Sequence, residues 1–96
     1  MTGQSRSMNE ILKDRLRATQ DIAEANMEQL RLNQKASGMM VLDMKDERDG
    51  IADSAHETAQ ARNDAALEAN VDRIGRLEAR LSALDEELEA AIKEQG

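Results

Sequence analysis

No proline interrupts this 96-residue chain, and it holds no phenylalanine, tyrosine or tryptophan. The first absence lets helices run unbroken, because proline removes a helical hydrogen bond and clashes with the preceding turn. The second removes the side chains that bury the most area in globular cores. A 34% charged chain whose apolar residues are mostly Ala, Leu, Met and Ile is therefore expected to be all-α and elongated rather than compact.

Local signals divide the chain in two. Ser7 stands three residues before Glu10, and Ser54 three before Glu57. Both fit the Ser-x-x-Glu capping box that opens helices. Asp49-Gly50 is a turn dipeptide, and Gly50 suits the left-handed residue that closes one. The reading is a single helical hairpin over 1–96, with helix 1 at about 8–48, a turn at about 49–54 and helix 2 at about 55–94. Each helix is then roughly 60 Å long at 1.5 Å per residue.

Apolar spacing predicts how the helices meet. Helix 2 presents Ile74, Leu77, Leu81, Leu84, Leu88 and Ala91/Ile92 at alternating three- and four-residue steps, the spacing of a coiled coil. Helix 1 presents Leu12, Leu16, Thr19, Ala23, Met27 and Leu30, then Ser37, Val41 and Met44. An antiparallel fold pairs Leu12 with Ile92, Leu16 with Leu88, Ala23 with Leu81, Met27 with Leu77 and Leu30 with Ile74. The same register sets Arg15 against Glu89, Arg17 against Glu87, Glu24 against Arg80 and Glu28 against Arg76. The acidic run 85–89 would oppose the macrodipole of an isolated helix, so the basic residues at 13–17 are its natural neighbours. Gly38 and Gly75 are read as tolerated surface positions in preference to points of close helix approach.

Composition bounds the function. Residues 1–48 carry 8 basic and 8 acidic side chains, and residues 49–96 carry 5 and 12, so the second half supplies the whole net charge of −7. An acidic half without aromatics argues against direct nucleic-acid binding, which needs clustered cations and stacking rings. It argues equally against anionic membrane surfaces. The chain has no cysteine and one histidine, which excludes a disulfide framework, a thiol nucleophile and a multi-histidine metal site. No nucleophile-base pair or phosphate loop is present. No catalytic or cofactor-binding residues are assigned, and a cytoplasmic, non-enzymatic protein is expected.

Two surfaces remain as candidates. Asp43, Asp46, Glu47, Asp49 and Asp53 crowd the turn, and Asp46, Asp49 and Asp53 are its candidate interaction residues. Asp49, Asp53, His56 and Glu57 are weak metal-ligand candidates there, and Asp53, His56, Glu57 and Gln60 share a helical face. Leu32, Met39, Met40, Leu42, Leu67 and Val71 lie off the proposed seam. They would form a second face, through which two hairpins could dimerise into a four-helix bundle. The principal reading is a coiled-coil interaction module that takes a protein partner, a second copy, or both.

The tip also carries a resemblance. Residues 50–57, GIADSAHE, resemble the tip pattern D-L-x-E-N-A-E-Y of the Gre transcript-cleavage factors, with Ile51, Asp53 and Ala55 at matching places. Gly50 stands at the first acid and Glu57 at the tyrosine. Residues 73–82, RIGRLEARLS, resemble that family's descending helix after an insertion of about three residues. The related DksA/TraR signature D-x-x-D-x-A is missed by one residue, since Asp49 and Asp53 are four apart. The resemblance covers the hairpin alone. It implies a transcription regulator whose tip enters the RNA polymerase secondary channel, with Asp49 and Asp53 coordinating or displacing Mg²⁺. The WXG100 proteins share the length and the central turn, but neither their Trp-x-Gly motif nor their C-terminal export signal is found.

Overall fold

The computed structural model describes residues 6–50 and 54–95. Two helices, α1 (Met8–Asp49) and α2 (Ser54–Gln95), pack along their length as an antiparallel hairpin 70 × 20 × 14 Å. Their limits fall within one residue of those expected from the caps.

The start of α1 is built as the sequence implies. Ser7 is extended, and its hydroxyl accepts the Glu10 backbone N–H at 3.2 Å. The Glu10 carboxylate accepts the Ser7 hydroxyl at 3.0 Å, so this is half of a reciprocal box. At the other end Gly50 adopts φ 72°, ψ 22°, and its N–H reaches the carbonyls of Asp46 and Glu47. A side chain would be strained in that left-handed region, which explains the glycine. The second start differs from expectation: Ser54 is already the first residue of α2 and not its cap. Positions 51–53 lie outside the described residues.

The register of α1 is a correction. Leu12, Leu16, Met27 and Leu30, assigned above to the seam, are 43%, 60%, 73% and 59% exposed. The buried positions are Ile11, Ala18, Ala25 and Leu32, continued by half-buried Met39, with half-buried Met8, Ile22 and Ala36 on the neighbouring row. Both sets follow the seven-residue rhythm that keeps one face turned to a partner. The outer stripe runs one position beyond the seam from Leu12 onward, about 100° round the helix at 3.6 residues per turn, so its side chains are exposed from the start of the helix.

On α2 the matching rows are His56, Asn63, Asn70, Leu77, Leu84 and Ala91, and Gln60, Leu67, Ile74, Leu81 and Leu88, all buried or half-buried. Ile11, Ala18, Leu84 and Ala91 form one cluster, flanked by Met8, Leu81 and Leu88. Burying a leucine such as Leu84 contributes about 1.5–3 kcal/mol. Leu32 and half-buried Met39 and Leu67 belong to this seam, so they do not form a separate second face.

Toward the turn the seam becomes polar. Asn63 and Asn70 are 3% and 6% exposed. Asn63 donates to the Leu32 carbonyl at 3.1 Å, and Asn70 donates to the Ala25 carbonyl and to Gln29 Oε1, both at 2.9 Å. These helical carbonyls accept on a second lone pair. The Asn63 carbonyl oxygen is buried without a partner, which costs about 1–3 kcal/mol. Asparagine in a coiled-coil seam is destabilising, but it fixes register, because slippage leaves it unsatisfied.

None of the four expected cross-helix ion pairs is formed. Arg6 instead grips Glu87 with two 2.8 Å bonds and also bonds Asp14. Arg15 meets Asp85 at 2.6 Å, and Glu28 turns to Arg31 on its own helix. The acidic run does sit beside basic residues, Arg6 just before α1 and Arg15 on it, with partners shifted along with the seam. Each pair lies at the surface, where solvent screens the attraction, so the pairs select an alignment more than they hold it. An added Cβ at Gly38 or Gly75 would meet nothing within 4 Å, so neither glycine marks a close approach.

Candidate functional site

Two features are available for recognition, and both follow from the seam. The first is the outer stripe of α1. With Ile11, Ala18, Ala25 and Leu32 turned to α2, the row Leu12, Leu16, Met27, Leu30, Val41 and Met44 faces away, every member exposed. Met27 and Leu30 line a shallow groove with Glu24, Glu28, Arg31 and Gln34. Met40, Leu42 and Val71 are exposed as well. Of the predicted second-face residues, Met40, Leu42 and Val71 therefore remain on the surface, and the larger apolar stripe is the one assigned to the seam from the sequence.

The second feature is the tip. Four seam positions there hold polar groups: Asp43 and Asp46 on α1, His56 and Gln60 on α2. The i, i+3 and i, i+4 spacings turn each pair onto the face that meets the other helix. His56 Nδ1 lies 2.6 Å from Asp46 Oδ2, and Gln60 donates its amide to Asp43 Oδ2. Asp46 therefore turns inward, although it was expected as an outward interaction residue. Glu47, Asp49 and Glu57 are exposed, and Asp53 and Ile51 lie outside the described residues.

The sequence grouped His56 with Asp49, Asp53 and Glu57. Among the described residues it meets Asp43 and Asp46 across the helices, with one ligand atom from each of the three inside a 4.8 Å span. The signal was present in the spacing. Counting back by sevens from Leu84 and Leu77 reaches Asn70, Asn63 and His56, and counting forward from Leu32 reaches Met39 and Asp46.

At the base, charge is strongly organised. The Arg6 guanidinium holds the carboxyls of Glu87 and Asp14 below their ordinary range through direct hydrogen bonds, and its own pKa is raised in return. Glu28 is lowered in the same way by Arg31. These are ion pairs at the surface that tie neighbouring segments together. Among the described residues, no helix is long and apolar enough to cross a membrane. Compared with family models, with curated proteins and with solved structures, the chain matches none.

Proposed function

We propose that this hairpin is a non-enzymatic protein-protein interaction module, acting in the cytoplasm, whose docking surface is the outer stripe of α1. The observation that carries the reading is the exposure of Leu12, Leu16, Met27, Leu30, Val41 and Met44 along one side of a helix whose seam is already filled. At about 100 Å² each, these side chains offer on the order of 600 Å², the low end of what one partner contributes to a specific interface. Amphipathic helices are taken up by such stripes through i, i+3, i+4 anchors. A second hairpin presenting the same stripe would complete a four-helix bundle.

Sedimentation across micromolar concentrations, with wild type beside a Leu16→Glu, Leu30→Glu variant, tests this. The expected result is a concentration-dependent dimer that the double variant abolishes while its helical circular dichroism stays unchanged. A wild-type protein that stays monomeric at 100 µM, or a variant that associates equally well, would count against the stripe.

A second reading places the work at the tip. It is supported by the exposure of Glu47 and Asp49 beside the Gly50 turn and by the resemblance to the Gre and DksA hairpins. On that reading the protein co-elutes with RNA polymerase, and Asp49→Ala with Asp53→Ala removes an effect on transcription without loss of helicity. Normal regulation by that variant would rule it out.

A further inference from the structure

We infer that Asp43, Asp46 and His56 form a site for a divalent transition-metal ion that clamps α1 to α2 near the turn. Three facts point to it. Each residue places one ligand atom within 4.8 Å of the other two. The donors come from both helices, so an ion would cross-link them. They also occupy the inward positions of the seven-residue seam, where neighbouring layers hold Met39, Asn63 and Leu67.

Position gives these groups their meaning. An exposed carboxylate pair is solvated whatever its neighbours, but Asp43 and Asp46 are half-buried between the helices. The two carboxylates stand one turn apart there and face His56 and Gln60 of the other helix. A divalent cation with a neutral imidazole would bring the local charge of that set to zero. The cross-helix contacts of His56 with Asp46 and of Gln60 with Asp43 already turn these groups toward one another. An apolar pair there would hold the tip together at lower cost.

The donor set selects the ion. One imidazole nitrogen with two carboxylate oxygens favours zinc, cobalt or nickel over magnesium and calcium, which prefer oxygen alone. Three protein donors leave a coordination place for water or for a side chain of a partner. Gln60, which donates to Asp43 Oδ2, would orient that carboxylate as outer-shell partners do. Ligand bonds of about 2.0–2.1 Å at a tetrahedral angle would set His56 Nδ1 and Asp46 Oδ2 about 3.3 Å apart, so the two side chains would have to part from their present 2.6 Å by about 0.7 Å. The site is separate from the α1 stripe and does not depend on it.

Titration of the full chain with Zn²⁺ and with Co²⁺, followed by calorimetry and by visible absorption, tests the inference. The expected result is saturable binding of one ion per hairpin, a Co²⁺ ligand-field band and a shift of the His56 ring resonances in NMR. A raised melting temperature should accompany it, and millimolar Mg²⁺ should give none of these effects. His56→Gln and Asp46→Asn should each weaken Zn²⁺ binding at least tenfold, and Asp49→Asn, which alters an exposed neighbour, should not. Absence of saturable binding below 1 mM overturns the proposal. So does unaltered affinity in His56→Gln, which would mean diffuse carboxylate association. The NMR readout on wild-type protein keeps the test decisive even if a variant folds poorly.

Discussion

The base and the tip share one seam geometry but fill it with opposite chemistry. At the base, Ile11, Ala18, Leu84 and Ala91 make an apolar cluster bordered by the Arg6 ion pairs. Toward the turn, equivalent positions hold Asn70, Asn63, Gln60 and His56 against Ala25, Leu32, Asp43 and Asp46. Hydrophobic burial is non-directional and stabilises without specifying alignment. Buried amides that must find particular carbonyls specify alignment and add little stability. The base therefore supplies cohesion, and the middle of the hairpin supplies register. The tip is left with few apolar contacts, the condition under which local opening is easiest.

The largest effect should come from breaking the base. Leu84→Ala is expected to cost about 2–4 kcal/mol, against about 1 kcal/mol for half-buried Met39→Ala near the tip, read by urea unfolding. Equal losses would erase the distinction. Next, Asn63→Leu should raise stability by about 1–2 kcal/mol by removing a buried unpaired oxygen. The same change should admit alternative registers or oligomers, visible as a broadened sedimentation distribution. A stabilised variant that keeps a single species would deny Asn63 its aligning role.

Smaller effects sharpen the picture. Gly38→Ala and Gly75→Ala should each stabilise by about 1 kcal/mol, since an added Cβ meets nothing at either site; thermal melts would show it. The smallest effect is electrostatic. Asp14 and Glu87 have folded-state pKa values lowered by Arg6 from ordinary values of 3.8 and 4.5. Groups depressed in this way stabilise the fold above those values and lose that contribution as pH falls through and below them. The stability gap between wild type and Arg6→Gln should therefore be present at pH 7 and close below about pH 4. A gap that persists in acid would mean that Arg6 acts through packing alone.

Much of the fold was legible because it is encoded locally. Ser7 with Glu10, Asp49-Gly50 and the absence of proline mark where α1 starts and stops and why it runs unbroken. The pairing of the helices was not, for two physical reasons. Helix α1 carries two apolar stripes side by side, and the more hydrophobic one, through Leu16, Met27 and Leu30, faces solvent. The true seam is also masked by polar members: Arg15, Gln29, Asp43, Asn63 and Asn70 look like surface residues until their cross-helix partners are known. The meeting of His56 with Asp43 and Asp46 depends on that register, so it was out of reach while the seam was assigned one stripe away.

The orientation of α1 underlies every functional statement, because it decides which stripe is free to bind. The chain has no native cysteine, so two double-cysteine variants can report on it without interference. Oxidised in dilute solution and read by non-reducing electrophoresis, Ala18→Cys with Leu84→Cys should close an intramolecular disulfide. Met27→Cys with Leu77→Cys should stay open, since Met27 is 73% exposed. Closure of the second pair and not the first would put the Leu16–Met27–Leu30 stripe inside and contradict the account.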